Sequence, residues 1–237
     1  MNLLLRAFVD DILPPDGGIM YAETNMRQLI PEPLNTLTAG LFFIISVYWL
    51  IRLKGVSSHS FFLSAGTYIL LIGSIGGIAY HGLRQYKLFI LMDWIPIVIL
   101  CLMASVYFWT KIFNRRIYAV IPVTVFFLIL FISRLYLEKD SNLDWAISLN
   151  YGLMAVMIIT PLLIYTSRMG TNSSRLVYTA IICFAGALFF RISDGSHIIF
   201  TGTHFLWHTL GAIATHLMFL YIYRIDTGNH VVVSSRL

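Results

Sequence analysis

In a chain otherwise short of polar groups, a few residues are equipped to do chemistry. His204 and His208 lie four residues apart in "HFLWH", His81 closes one apolar stretch, and Asp93 lies early in the next. Histidines at i and i+4 share one helix face, with Cβ atoms roughly 5–6 Å apart, which suits two ligands on one metal. With His81 as a third imidazole, the set matches a catalytic zinc site, where three protein ligands leave one position for water. Asp93 then has two available roles: to orient the water and take its proton, or to hold a histidine tautomer from behind. For any one ring taken alone, the alternative is an interhelical hydrogen bond. His216, two turns beyond His208, fits that alternative better, and His59, His197 and His230 fall in connecting segments.

The elements that must position these residues are membrane spans. The chain is 58% hydrophobic and 11% charged over 237 residues, whereas soluble domains are about a quarter charged. A helix needs about 20 apolar residues to cross the hydrocarbon. Seven segments qualify, at roughly 34–53, 60–81, 88–110, 117–135, 144–166, 175–191 and 201–223. Short polar connections such as "RLKGVSSH", "KIFNRR" and "SRMGTNSSR" separate them, and no long linker or repeat intervenes. The expected fold is therefore all-α: one seven-transmembrane helix bundle over 1–237, with an extramembrane segment at 1–33 and a tail at 224–237. The run "MNLLLRAFVDDILPPDGG" is broken by Arg6, Asp10 and Asp11. It lacks the pattern of a signal peptide and reads as a short interfacial helix.

Seven spans put the termini on opposite sides. The C-terminal side holds Arg52, Lys54, Lys111, Arg115, Arg116, Arg168, Arg175, Arg224 and Arg236, against Arg6, Arg27, Arg84, Lys87, Arg134, Lys139 and Arg191 on the other. Asp10, Asp11, Asp16, Glu23, Glu32, Glu138, Asp140, Asp144 and Asp194 also gather on that other side. The positive-inside rule then places the N-terminus outside or lumenal and the C-terminus in the cytoplasm. A bacterial inner membrane or an ER/Golgi-type membrane accommodates this orientation equally. In this topology span two ends, and spans three and seven begin, on the outer side, so His81, Asp93, His204 and His208 share one depth. Ionisable groups inside a membrane are costly and mark function. The net charge of +5 carries no sign of nucleic-acid binding, and Cys101 and Cys183 form neither a CxxC pair nor a disulfide framework.

A histidine closing span two, an aspartate opening span three and HxxxH opening span seven together resemble the CREST superfamily of seven-helix membrane hydrolases. Within that group, "YAETNMRQLIPEPLNT" at 21–36 looks like the alkaline ceramidase segment, here as Glu23 and Asn25 followed by Glu32 and Asn35. The resemblance implies zinc on His81, His204 and His208, with Asp93 assisting the water that hydrolyses a ceramide amide. It further implies calcium on Glu23, Asn25 and Glu32, oxygen ligands of the kind that ion takes. Two positions depart from the family pattern. Gly77 stands where the family has a serine, with Ser74 one turn earlier as a possible replacement, and Met20 stands where the family has an aspartate, with Asp16 nearby.

The implied partner is a membrane lipid, ceramide-like, reaching a site enclosed by apolar helices. Other functions keep a place: a different lipid hydrolase on the same scaffold, or a receptor-like protein of the adiponectin-receptor or hemolysin-III type with the same zinc. A proton or ion relay ranks lowest, because a relay needs ionisable groups strung across the membrane and these cluster at one depth.

Overall fold

The computed structural model describes residues 13–56, 59–113, 116–137, 143–169, 173–196 and 198–228. The interfacial helix expected near the N-terminus, His197, His230 and the end of the tail lie outside the described residues. Among those described, seven long helices follow one another: α1 Pro33–Arg52, α2 Phe61–Leu83, α3 Lys87–Ile112, α4 Arg116–Leu137, α5 Leu143–Met169, α6 Ser174–Ile192 and α7 His204–Asp226. A single 3₁₀ turn, Asp194–Ser196, precedes α7. Each helix starts and ends within a few residues of the segment read from sequence.

Six of these helices (all but α4) are long and apolar enough to cross a membrane. The chain is thus a helical membrane protein. The expectation of seven spans is narrowed at α4, whose described apolar stretch, Ile117–Ile129, is shorter than the hydrocarbon requires. The outer faces explain why the spans read as apolar all round. Leu37, Phe61, Ile117 and Ile182 are each more than 70% exposed, an arrangement that suits lipid and not water.

Packing runs around the bundle. α2 lies between α1 and α3, α3 touches α4 and α5, and α7 lies against α6, α1 and α2. The buried apolar core, including Trp49, Leu63, Phe108, Leu162, Phe219 and Ile222, gathers toward the end where α1 and α7 finish and α2 begins. The opposite end, where α2 finishes and α1, α3 and α7 begin, is left to polar groups. Helices α2 and α3 approach closely there through glycine: a Cβ at Gly76 would lie 2.4 Å from Met92 Cβ, and one at Gly73 would lie 2.9 Å from Pro96 Cβ. Small residues permit such contact between membrane helices, where dispersion forces do most of the holding.

Candidate metal centre

The three histidines meet at this polar end. His81 lies in the last turn of α2, and His204 and His208 lie in the first two turns of α7; all three are buried. Each offers one ring nitrogen such that these atoms lie within 4.8 Å of one another. Their ring centroids are 4.7 Å (His204–His208), 4.8 Å (His81–His208) and 5.4 Å (His81–His204) apart.

For two of the rings a second contact assigns which nitrogen keeps its lone pair. His81 Nδ1 lies 2.5 Å from Glu32 Oε2, so Nδ1–H donates to the carboxylate and the lone pair falls on Nε2. That Nε2 is buried without a hydrogen-bond partner. His208 Nδ1 donates to the Asn35 carbonyl at 3.1 Å, which likewise leaves Nε2 as the acceptor atom. His204 Nδ1 is buried and unpartnered too. Buried polar atoms normally have partners, because each lone one forfeits its hydration. Two orphaned nitrogens converging with a third imidazole fit a zinc ion with three protein ligands. The carboxylate and carbonyl behind the rings are the supports that metal-bound histidines use.

Helix termini are held here by distant carboxylates. Glu23 accepts from the backbone N–H groups of Leu34 (2.6 Å) and Asn35 (2.9 Å), capping α1 from eleven and twelve residues upstream. Asp194 Oδ1 accepts from Thr203 N (2.7 Å) and His204 N (2.8 Å), capping α7, while its Oδ2 accepts from Ala22 N at 2.9 Å. The first N–H groups of a helix have no internal partner, and an anion there also meets the positive end of the dipole. Gly202 makes the second cap possible: it adopts φ +77°, and a Cβ there would lie 2.4 Å from Asp194 Oδ1.

Residues 13–32 cover the site as a strap. Tyr21 stacks on His204 with ring centroids 3.9 Å apart. Arg84, at the end of α2, is fully buried under this strap and bonds Asp16 Oδ2 at 2.8 Å, Asp16 Oδ1 at 3.1 Å, the Ile19 carbonyl at 2.9 Å and Glu32 Oε1. Burial by itself would raise the Glu32 pKa. The His81 hydrogen bond and the Arg84 charge outweigh it and hold the carboxyl below its ordinary value. Breaking one partner out of such a buried network costs about 3–5 kcal/mol.

Asp93, in the second turn of α3, faces Gly77 of α2. A Cβ at Gly77 would lie 2.7 Å from Asp93 Oδ1, so the position of the family serine is the one beside this carboxylate. Asp93 is within electrostatic reach of His81 and Arg191. Ser74, one turn earlier, is buried, and its Oγ donates to the Leu71 carbonyl of its own helix at 2.8 Å.

The three residues expected to hold calcium are placed differently. Glu23 caps α1, Asn25 Oδ1 accepts from Arg27 N at 3.1 Å in a turn, and Glu32 accepts from Thr24 Oγ1 (2.6 Å) and Asn35 Nδ2 (3.2 Å) besides His81 and Arg84. Both carboxylates spend every oxygen on hydrogen-bond donors, one of them a guanidinium. This arrangement does not fit a calcium ion, whose ligands are free oxygens turned to a common point.

Three residues of the site escaped the sequence reading. In the sequence Arg84 and Arg191 read only as charges flanking the spans on the outer side, and Asp194 only as an acid of that side. Their one visible signal is a polar residue at the very end of an apolar run. No known family model and no curated protein matches the chain.

Proposed function

We propose that this protein is a zinc-dependent intramembrane hydrolase of lipid amides, ceramidase-like, built on seven spans with its N-terminus outside or lumenal. The observation that carries the reading is the convergence of three buried imidazoles, each offering one ring nitrogen within 4.8 Å of the others, with His81 Nε2 and His204 Nδ1 unpartnered. His81, His204 and His208 would hold the metal, which when bound supplies a Lewis acid and a water of lowered pKa. The residues of the chain do the rest. Glu32 keeps the proton of His81 on Nδ1, and Asn35 does the same for His208. Asp93 stands beside the cluster as the carboxylate that orients the attacking water, takes its proton and returns it to the leaving amine. Exposed apolar residues near this end, Leu37, Leu83 and Trp94 among them, would face the lipid.

A second reading is a receptor-like protein in which zinc only braces the bundle. Tyr21, stacked on His204 beneath the strap, favours it, because it covers the face a substrate needs. In the hydrolase reading the same ring is a cover that moves when substrate enters.

The first experiment is metal analysis of the detergent-purified protein beside His204→Ala and His208→Ala, followed by ceramide turnover. About one zinc per chain, lost in both variants and accompanied by hydrolysis in the wild type, supports the proposal. Zinc that survives either substitution ends it. Zinc without turnover of any lipid amide leaves the receptor-like reading in its place.

A further inference from the structure

A helix that ends in the left-handed conformation usually places glycine there, since any Cβ is crowded by the neighbouring backbone. Helix α2 ends in that conformation with arginine. Arg84 has φ +53° and is the one non-glycine among the described residues with positive φ. The chain accepts backbone strain at this position, so the side chain must return something.

What it returns is a cation at the centre of the strap. The guanidinium lies in a shell of oxygen atoms: both oxygens of Asp16, the Ile19 carbonyl and Glu32 Oε1. Its remaining faces are closed by the rings of Tyr80 and Tyr21, 4.7 and 5.9 Å from Arg84 Cζ. Gly18 completes the enclosure, because a Cβ there would meet Tyr80 Oη at 2.6 Å and Arg84 Nη2 at 3.1 Å. Asp16, Arg84 and Glu32 are all buried to 1% exposure or less. Two buried carboxylates and a main-chain carbonyl are donors that a divalent cation would take, and here they surround a charge that belongs to the chain.

We infer that the Arg84 guanidinium is the resident cation of the N-terminal carboxylate cluster, that it stands in place of calcium, and that it ties the strap to the zinc ligand His81 through Glu32. One charge thereby does two jobs. It neutralises Asp16, which anchors the strap, and it fixes the carboxylate that orients His81. The protein needs no calcium for either.

The test is thermal unfolding in detergent, in buffer freed of calcium by dialysis and with calcium added back, with retention of zinc under chelation as a separate readout. Neither requires turnover, so a protein that hydrolyses nothing still decides the matter. The wild type is expected to unfold at the same temperature in both conditions. Arg84→Gly relaxes the backbone but removes the charge, and is expected to unfold about 6 °C lower or more. It is also expected to hold zinc about 10–100-fold more weakly and to regain stability in calcium, which then finds the Asp16 and Glu32 carboxylates without their cation. Arg84→Lys, which keeps the charge without the fork, should fall between the two. A wild type stabilised by calcium overturns the inference and does so even if no variant folds. An Arg84→Gly protein with wild-type unfolding and zinc retention, or one indifferent to calcium, overturns it equally.

Discussion

The two ends of the bundle both bury polar side chains, yet they treat them differently. At the end where α1 and α7 finish, Asp226 accepts from Tyr107 Oη at 2.7 Å and from Ser60 N at 2.8 Å, using both oxygens to join α2, α3 and α7. The large apolar core lies next to it. At the other end, Glu32 and Arg84 are as fully engaged, but the network stops at His81 Nε2 and His204 Nδ1, which have no partner. Trp49 Nε1 and Ser60 Oγ are also buried without a partner near the Asp226 end, so the difference is one of kind: an indole N–H and a hydroxyl there, imidazole nitrogens able to ligate a metal here. The histidine end brings one ring nitrogen from each of three imidazoles within 4.8 Å of one another, an arrangement that would suit a metal.

This contrast can be broken or sharpened by substitution. The largest effect is expected from His81→Ala, which removes one of three ligands. Zinc should fall from about one per chain to near none by metal analysis, with turnover lost alongside; full occupancy would return His81 to a packing role. Next comes Asp93→Asn, which keeps shape and removes the proposed base. Zinc content should hold while kcat drops about 10²–10⁴-fold, and an unchanged kcat would assign the proton transfer elsewhere. Glu32→Gln should act on the metal and not on the chemistry directly, weakening zinc about 10–100-fold in a competition titration. The smallest change belongs to the Asp226 end. Tyr107→Phe removes one partner of Asp226 and should lower stability by about 1–3 kcal/mol in a denaturant titration, with zinc content and kcat as in the wild type. A loss of zinc there would mean that the two ends are coupled and the contrast is misdrawn.

Much of this was legible in the sequence because hydrocarbon leaves a chain few choices. Backbone groups in lipid must be satisfied within the segment, so long apolar runs are helices, and their ends follow from where polar residues resume. The same cost argument singled out His81, Asp93, His204 and His208. Chain direction alone predicted that they share one depth, and the structure brings the three histidines together. What the sequence misjudged were charges at helix ends. Arg84 read as a loop residue, and nothing in "HGLRQ" says that its backbone turns left-handed and its side chain enters the core. Glu32 and Glu23 read as calcium ligands through family likeness, because a motif names residues and not the atoms they face.

The division has a physical cause. Span positions, the all-helical class and the identity of the candidate ligands depend on local hydrophobicity and on chain direction, both of which are properties of the sequence taken in order. Which nitrogen of His81 is free, which helix Glu23 caps and which cation neutralises Asp16 depend on contacts between segments 11 to 68 residues apart, such as Glu23 with Leu34 and Asp16 with Arg84. A side chain of a few ångströms finds its partner only after the helices have packed, and so only the tertiary structure decides it.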